Sequence, residues 1–248
     1  MKFLQTLFLF APLLCLAQSV TIIEYDVQVG LLQRQGKLVV SSSYEYNYYF
    51  EVAKNENTNV EINETNNEKN INKVLGSKDE KRIQLYSKNR DTLYNVDYID
   101  KENIVCYEIA KNISWEFSDE TKVISNYTCN KATAFFRGRK YTAWFTTELP
   151  INQAPWKFNN LPGLVLQIHD DSTQFIWSVS KINFNLIIDS YSINRKLNKI
   201  SLKEFITRSE LENNKLSDQA MLKFTQRGAK IIKSEHIRGR ELKFEWEE

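Results

Sequence analysis

The sequence predicts a mainly β fold (α+β), in which one curved antiparallel sheet, shaped like a half-barrel, carries helices at its C-terminal end. Three observations predict it. Apolar and aromatic residues alternate with polar ones through most of the first three-quarters of the chain, as in half-buried strands. Turn-forming residues separate these runs at short intervals. From Ser201 the apolar period becomes helical, and Glu204 stands at the spacing of a capping box.

The N-terminus has the pattern of a secretory signal peptide. Lys2 precedes an apolar run over residues 3–16, and Ala17 is the small residue that signal peptidase requires. We therefore expect residues 1–17 to be removed, the exported protein to begin at Gln18, and residues 18–248 to form one domain. The alternative is a lipoprotein anchored through Cys15, although Leu14 is larger than the residue that normally precedes a lipidated cysteine.

The charge of the chain gives no reason to expect a nucleic acid or an anionic membrane as partner. Loss of Lys2 with the leader would lower the formal net charge from +2 to +1, and the basic residues are spread along the chain. No later stretch is apolar over the length of a membrane span, so we do not expect an integral membrane protein. The expected location is the periplasm, or the outer membrane and cell surface.

The strand pattern begins at Ile23 and is sharpest over residues 38–52, where the apolar side chains share one parity. One strand of that length would span about 50 Å, so we expect a bend near residues 41–43. Residues 54–73, rich in Asn and Glu, are expected to be a solvated loop. Later hairpins are expected to turn at residues 88–91, 118–121 and 137–138.

The two cysteines that follow the leader, Cys106 and Cys129, are a candidate disulfide because an exported protein meets an oxidising compartment. A turn at residues 118–121 would bring their strands near each other. The alternatives are two buried free thiols or a bridge to another chain. The last quarter of the chain predicts helices over about residues 201–232, the second starting at Asp218. A further alternating tail, residues 242–246, is expected to close an edge of the sheet.

A set of motif residues occurs in order over residues 127–165. They are Tyr127, Cys129, Lys131, Ala132, Gly138, Arg139, Tyr141, Ala143, Trp144, Phe145, Thr146, Glu148, Pro150, Ile151, Pro155, Leu161, Pro162, Gly163, Leu164 and Val165. In this pattern the chain resembles the GLPGLI family, small secreted proteins of Bacteroidetes with no assigned biochemical role. The resemblance implies an envelope protein with an outer-membrane barrel protein as a possible partner.

Three positions depart from the family pattern: Thr147, Ala154 and Asn160. Asn160 replaces a glycine, and asparagine is the best substitute for glycine at positive φ, so the turn geometry can survive there. Ala154 leaves its turn in doubt. Gly138 stands at a hairpin corner that demands positive φ. Gly163 follows Pro162 as the third residue of a turn, for which we also predict positive φ.

The best functional candidate is the turn-rich loop around Trp156 and Phe158. Aromatic residues on a loop held by a rigid sheet can anchor a ligand or partner. Alternatively, both side chains fold back and plug the open end of the sheet. On the preceding strand, Trp144 and Phe145 point to opposite faces, so one should be core and the other a covering residue. We expect Trp144 to be the buried one, with a large cost of truncation.

Arg139 and Glu148 are the charged members of the motif that join Trp156 and Phe158 as candidate binding residues. They would catalyse, bind an anion, or pair with each other, and pairing is the simplest interpretation. His169 with Asp170 or Asp171 is the remaining polar cluster, in which a carboxylate could tune a general base. The competing interpretation is a surface histidine that leads into an Asp-rich turn.

Recognisable catalytic, metal and cofactor motifs are thin. The chain has two histidines, no paired metal-ligand spacing, no nucleophile motif and no glycine-rich phosphate loop. We therefore expect no metal and no cofactor. The sequence favours a binding module for a hydrophobic ligand, a peptide or an outer-membrane protein, without catalysis. The alternative is an exported hydrolase that uses His169 with Asp170 or Asp171, or Glu148.

Overall fold

A computed structural model describes residues 20–53, 73–75, 83–89, 91–99, 102–186, 191–193, 196–225 and 239–247. The expected leader, residues 54–72 of the expected loop, and the expected end of the helical region near Gly228 lie outside these ranges. The elements are β1 (Val20–Val29), β2 (Leu32–Ser41), β3 (Tyr46–Ala53), β4 (Lys73–Leu75), β5 (Ile83–Ser87), β6 (Thr92–Ile99), β7 (Glu102–Ile109), β8 (Glu116–Ile124), β9 (Tyr127–Phe136), β10 (Arg139–Thr146), β11 (Leu164–Asp170), β12 (Phe175–Leu186), β13 (Tyr191–Ile193), β14 (Asn198–Ser201) and α1 (Leu202–Thr225).

Twelve of these strands form one open sheet in the order β14-β7-β6-β5-β3-β2-β1-β12-β11-β10-β9-β8. Every pairing in it is antiparallel except that of β14 with β7. The short strands β13 and β4 form a separate parallel pair. The predicted fold class, a mainly β protein with one curved, mostly antiparallel sheet and a C-terminal helical part, is confirmed.

One continuous helix stands where two were expected. It starts directly after Ser201, whose hydroxyl accepts a hydrogen bond from the amide of Glu204 at 3.2 Å, as the predicted N-cap requires. It continues through Asp218 without a break to Thr225. Within the described ranges, no helix has the length and apolar content needed to cross a membrane.

The run over residues 38–52 is a hairpin and not the single bent strand that its parity predicts. Ser41 and Asn47 close the reversal, because the Ser41 amide donates a 3.1 Å hydrogen bond to the Asn47 side-chain oxygen. The reversal pairs Leu38 with Tyr49 across β2 and β3, which places these two on one face. Tyr48 therefore lies on the opposite face, in a different apolar cluster from Leu38.

The turn expected at residues 118–121 does not exist. β8 runs straight through these residues, with a register shift against β9 between Ser118 and Thr121 that marks a bulge. The chain reverses instead at Ser125 and Asn126, whose φ angles of 49° and 70° fit a tight hairpin turn. A polar cluster typical of turns therefore occupies a bulge on an edge strand.

The predicted disulfide is wrong as well, because Cys106 and Cys129 are buried free thiols. Without the expected turn, β9 pairs with β8 and β10, and eight strands separate it from β7 in the sheet order. Cys129 lies about 26 Å along its strand from Arg137. Cys106 lies two residues from Glu108, which contacts Arg137. The two cysteines are therefore far beyond the roughly 7 Å Cα separation that a disulfide allows.

The sheet is curled strongly enough for distant strands to meet. Arg137 lies in the turn between β9 and β10, and seven strands separate β10 from β7 in the sheet order. Its Nη2 nevertheless lies 2.5 Å from Oε2 of Glu108 on β7. The right-handed twist of each strand pair accumulates along the sheet and produces this curvature. The concave face is the one turned toward the loop of residues 147–163 and the C-terminal segment of residues 239–247.

The C-terminal segment crosses the concave side and adds no strand, contrary to the expectation for residues 242–246. Its backbone is fixed to the hairpin turn, because the amides of Leu242 and Lys243 both donate to the carbonyl of Arg137, at 2.9 and 3.2 Å. Phe244 is buried against Cys106 and Leu202. The segment therefore ties the β9–β10 hairpin to β7 and to the start of α1.

The motif glycines and Asn160 take two different roles. Gly138 has a φ of 82° and Asn160 a φ of 63°, as the turn arguments predict. Gly163 does not have positive φ, so that prediction is wrong. Glycine is required there by close approach, because a Cβ atom would lie 2.1 Å from the carbonyl oxygen of Thr146.

We predict that Gly163→Ala lowers the free energy of unfolding by about 2 kcal/mol or more, because backbone must move to admit the methyl group. Urea denaturation followed by tryptophan fluorescence measures the change. Gly239→Ala is the matched control, since nothing lies within 4 Å of a Cβ at Gly239. Equal stability of the two variants would contradict the close-approach argument.

Candidate functional site

The loop of residues 147–163 fills the apolar half of the concave face. Phe158 is buried, with its ring 4.9 Å from that of Tyr141 and 5.2 Å from that of Trp177. Trp156 is half-buried and stacks on Trp177 at 5.9 Å, with 13° between the ring planes. The structure thus places both candidate anchors as a plug in the aromatic core, the alternative that the sequence left open.

Polar contacts to the segment before β8 hold the loop in place. The indole of Trp115 donates a 2.8 Å hydrogen bond to the carbonyl of Asn159, and the Asn159 amide donates to the carbonyl of Lys111 at 3.0 Å. Trp156 itself has a φ of 55°, a backbone conformation that is uncommon for a side chain of this size. The aromatic contacts on the concave face compensate for this local strain.

Arg139 and Glu148 do not pair with each other, so the simplest interpretation of these two residues is wrong. Arg139 forms an ion pair with Asp170 at 3.3 Å and lies 4.7 Å from the ring of Phe175. Glu148 instead accepts a 2.8 Å hydrogen bond from the backbone amide of Thr128. Each residue thus fixes a different part of the fold.

Trp144 and Phe145 point to opposite faces as expected, but with the roles exchanged. Phe145 is 2% exposed and belongs to the core. Trp144 is only partly buried, and the Lys122 ammonium lies 4.2 Å from its ring centroid in a cation–π contact. Trp144 is therefore the covering residue on the outer face.

His169 does not meet a carboxylate. Its Nδ1 lies 3.1 Å from the backbone carbonyl oxygen of Asp170. The Asp170 carboxylate is buried and is engaged by Arg139, by the hydroxyl of Ser172 and by the amide of Phe175 at 2.8 Å. Asp171 is exposed. These side chains hold the turn after β11 and form no acid–base pair with the imidazole.

Four charged side chains form a buried ion cluster where the two halves of the sheet meet: Glu108, Arg137, Lys157 and Glu241. Arg137 contacts Glu108 at 2.5 Å and also contacts Glu241. Lys157 contacts Glu108 at 2.5 Å and Glu241 at 2.8 Å. The side chains of Arg137 and Lys157 are 3% and 5% exposed. The cluster joins β7, the β9–β10 turn, the loop and the C-terminal segment.

Neighbouring charges in this cluster shift the pKa values of Glu241 and Arg137. Burial by itself would raise the pKa of Glu241, but Lys157 and Arg137 reverse this and hold it below its usual value. Burial likewise would lower the pKa of Arg137, and Glu241 and Glu108 raise it instead. Glu241 and Arg137 therefore both remain ionised at neutral pH.

Glu51 forms the second charged centre, on the concave side of β3. Its Oε2 lies 3.2 Å from Nε of Arg34 and 2.7 Å from Nη2 of Arg240. The hydroxyl of Tyr49 donates a 2.8 Å hydrogen bond to its Oε1. Burial opposes ionisation of this carboxyl, yet Arg240, Tyr49 and Arg34 hold its pKa below the usual value.

Arg240 also covers the aromatic plug. Its guanidinium carbon lies 4.8 Å from the ring of Trp177, and the indole of Trp177 donates to the hydroxyl of Tyr49 at 3.1 Å. Gly36 makes room for this arrangement, because a Cβ there would lie 2.5 Å from the Tyr49 hydroxyl. The aromatic core and the Glu51 centre therefore form one connected unit.

A cavity of about 430 Å³ remains on the polar half of the concave face. Its wall consists of polar neighbours on adjacent strands, since Tyr49 pairs with Gln84, Gln84 with Asn95, and Asn95 with Cys106. Other lining residues come from β2, the loop, α1 and the C-terminal segment: Arg34, Trp156, Lys157, Phe205, Ile206, Arg240 and Glu241. Burial raises the pKa of the Cys106 thiol to about 12, so it is protonated.

Sequence reasoning missed most of this cavity. Gln84 and Asn95 are polar residues within strands, and only their position on the parity opposite Ile83, Leu85 and Tyr94 could have marked them as sharing a face. Nothing in the sequence pairs Arg240 with Glu51 across the chain. Among the described residues, no group of three or more His, Cys, Asp and Glu side chains could hold a metal ion.

A family model described as "N-glycanase peptide, N-terminal domain" matches residues 82–202, just under half of the chain. No curated protein sequence matches the chain. The fold is similar to a solved structure titled "Structure of PNGF-II in P21 space group", with a TM-score of 0.52 and 11% identity over 77% of this chain and 33% of that one. In the C2 form of PNGF-II the values are 0.51, 11%, 77% and 32%.

The present chain thus spans about a third of the length of the PNGF-II structures. At 11% identity this similarity concerns the fold alone. A third structure, of an uncharacterized conserved protein from Thermus thermophilus, has a TM-score of 0.38 and 6% identity over 75% of this chain and 91% of that one. Its similarity is too low to support an argument.

We predict that Trp156→Ala lowers the free energy of unfolding by about 3 kcal/mol, because it removes a ring stacked in the aromatic core. Trp144→Ala should cost about 1 kcal/mol, since that ring is partly exposed on the outer face. Urea denaturation followed by circular dichroism compares the two. A larger loss for Trp144→Ala would show that the loop is not part of the core.

We predict that stability falls as the pH drops below about 4.5, the ordinary pKa of glutamate. Glu51 and Glu241 have lowered pKa values in the folded state, so the unfolded state binds protons first and is favoured at acid pH. Melting temperatures between pH 3 and pH 7 measure the effect.

The variant Glu241→Gln should be less stable at pH 7 by about 3 kcal/mol, because it leaves Arg137 and Lys157 with too little negative charge. Its melting temperature should also depend less on acid pH than that of the wild type. Glu116→Gln, at an exposed position on β8, is the control and should follow the wild type. If the melting temperature of Glu241→Gln depended on acid pH as strongly as that of the wild type, the ion cluster would be excluded as the cause of the acid destabilisation.

Proposed function

We propose that this chain is an exported envelope protein of the GLPGLI type that binds a ligand in the concave cavity and does not catalyse a reaction. One observation carries the proposal: the cavity is roomy, yet both of its glutamates are held ionised by two cations each. A volume of this size lies within the range of small-molecule sites, about 300–1,000 Å³.

Acid–base catalysis needs a group whose pKa lies near the working pH. The pKa values of Glu51 and Glu241 are instead lowered, further from neutral pH, because their cationic neighbours stabilise the carboxylate. The Cys106 thiol is protonated and is therefore a poor nucleophile. These groups are suited to shaping and holding a site, and this supports binding over chemistry.

A hydrolase that uses His169 with Asp170 or Asp171, or Glu148, is the second candidate. The family description, which names an N-glycanase, is the observation in its favour. Against it, His169 meets the backbone of Asp170 and not its carboxylate. Glu148 lies at another site and bonds the amide of Thr128. The match to PNGF-II covers 33% of that chain, so the activity of the longer protein does not carry over.

The location and partner extend the same proposal. The leader pattern supports export to the periplasm or the outer membrane, and the family resemblance supports an outer-membrane barrel protein as partner. Arg139 and Glu148 then serve the scaffold, and Trp156 lines the cavity from the loop side. Of the candidate binding residues from the sequence, Trp156 alone lines this cavity. Phe158 belongs to the core behind it.

Native mass spectrometry of protein purified from its own envelope tests the proposal. The wild type should retain a bound molecule, and Ile206→Trp should lose it because the larger ring fills the cavity. Leu211→Trp, on an exposed position of the same helix, is the matched control and should retain the molecule. A bound molecule that survives in Ile206→Trp, or none in the wild type, would refute binding at this site.

A further inference from the structure

Two arginine side chains share one carboxylate on the wall of the cavity. Nε of Arg34 lies 3.2 Å and Nη2 of Arg240 lies 2.7 Å from the same atom, Oε2 of Glu51. Because both contact one oxygen, the two guanidiniums are close neighbours. Both side chains line the cavity, and they are 35% and 17% exposed. Arg34 and Arg240, the arginine pair, therefore carry two positive charges against one negative charge.

Glu51 has no capacity left for further donors. Its Oε1 accepts hydrogen bonds from the hydroxyl of Tyr49 at 2.8 Å and from the indole of Trp177 at 3.4 Å. Its Oε2 is occupied by the arginine pair. A carboxylate offers about four acceptor positions, so all of them are used.

Three nitrogen atoms of the arginine pair remain without an acceptor. In the part of the chain that the structure describes, Arg34 bonds through Nε and through Nη2, which donates to the backbone carbonyl of Glu51 at 3.2 Å. Arg240 bonds through Nη2 alone. The other nitrogens are Nη1 of Arg34 and Nε and Nη1 of Arg240. Unlike the buried unpaired Nε of Arg139, they retain exposed surface, so they are accessible donors.

The other acidic side chains of the lining do not compensate the arginine pair. Glu241 contacts Lys157 in the ion cluster. Asp97 stands on β6, two strands away from β3 in the sheet order. Within the described ranges, neither carboxylate forms an ion pair with Arg34 or Arg240. The end of the cavity beside Glu51 therefore has an excess of positive charge.

Apolar side chains border the same cavity. Val29 and Leu32 belong to the β1–β2 hairpin, close to Arg34, and Phe205 and Ile206 come from α1. A ligand that meets both the arginine pair and these side chains needs an anionic head and an apolar body. A planar carboxylate matches the fork of guanidinium N–H groups. An alkyl chain gains stability when these side chains remove it from water.

We propose that the cavity binds an alkyl carboxylate, with the carboxylate on the arginine pair and the chain against the apolar side chains. This inference rests on the proposed function, since it names the ligand class of the same cavity. The carboxylate supplies the second negative charge and accepts from the N–H groups that Glu51 cannot serve. An alcohol of the same chain length covers the apolar side chains equally but brings no charge.

Isothermal titration calorimetry of the full-length protein, freed of bound molecules, tests this inference. The probes share one chain length and differ in the charge of the head: decanoate, 1-decanol and decyltrimethylammonium. We expect decanoate to bind, 1-decanol to bind about tenfold more weakly, and the cation not to bind. Equal affinities for decanoate and 1-decanol would overturn the role of the arginine pair.

The variant Arg34→Gln tests the site itself. It leaves Glu51 paired with Arg240, so the protein should still fold. Its affinity for decanoate should fall about tenfold through loss of a charge-assisted hydrogen bond, while its affinity for 1-decanol stays unchanged. Lys181→Gln removes the same charge at an exposed position of β12 outside the lining, and it is the matched control. Equal losses for both ligands in Arg34→Gln would show general damage to the cavity and overturn the assignment.

The outcomes distinguish this inference from the proposed function. If 1-decanol or the cation binds as tightly as decanoate, the carboxylate inference fails while the cavity remains a binding site. Decanoate that binds Arg34→Gln as tightly as the wild type overturns the arginine pair as its site. If no probe binds but a molecule is retained from the envelope, the inference fails and the proposed function stands. If none is retained either, both proposals fail.

Discussion

The fold depends on a buried ion cluster that joins four separate segments of the chain. Glu108, Arg137, Lys157 and Glu241 meet where the curled sheet brings β7 to the turn between β9 and β10. An isolated buried charge is very costly. If any one of the four segments moved away, it would leave buried charges without partners on the others. This interdependence holds the two ends of the curled sheet, the loop and the C-terminal segment together.

The concave face is divided into two halves with different occupants. The loop of residues 147–163 fills the apolar half with Trp156 and Phe158, which rest on Trp177. The half lined by Tyr49, Gln84 and Asn95 is left open. Arg240 stands at the boundary, in contact with Trp177 and with Glu51. A protein that seals one half of its groove with its own residues keeps the other half rigid and preformed, and preformed sites lose less entropy on binding.

Local patterns in the sequence predicted local structure well. The hairpin around Gly138, the positive φ of Asn160 and the N-cap at Ser201 each depend on a few neighbouring residues, and each is present. Strand parity also placed Phe145 and Trp144 on opposite faces, but it could not say which face was dry. That choice depends on what covers each side of the sheet, and the covering segments are remote in the sequence.

The failures have the same origin. Residues 118–121 have the composition of a turn, yet in this fold they form a bulge on an edge strand. The turn predicted there led to the wrong prediction that Cys106 and Cys129 form a disulfide. The candidate site was likewise only partly predictable. Trp156 was found because an aromatic residue in a loop is conspicuous, whereas Gln84 and the pairing of Glu51 with Arg240 arise from contacts across most of the chain.

The two free cysteines have a consequence for how the protein matures. Cys106 and Cys129 form no disulfide in the part of the chain that the structure describes, so the packing of these two side chains involves no oxidation step. Burial raises the pKa of both thiols, so neither is readily converted to the thiolate that oxidants attack. The packing around Cys106 and Cys129 is therefore compatible with a reducing or an oxidising compartment.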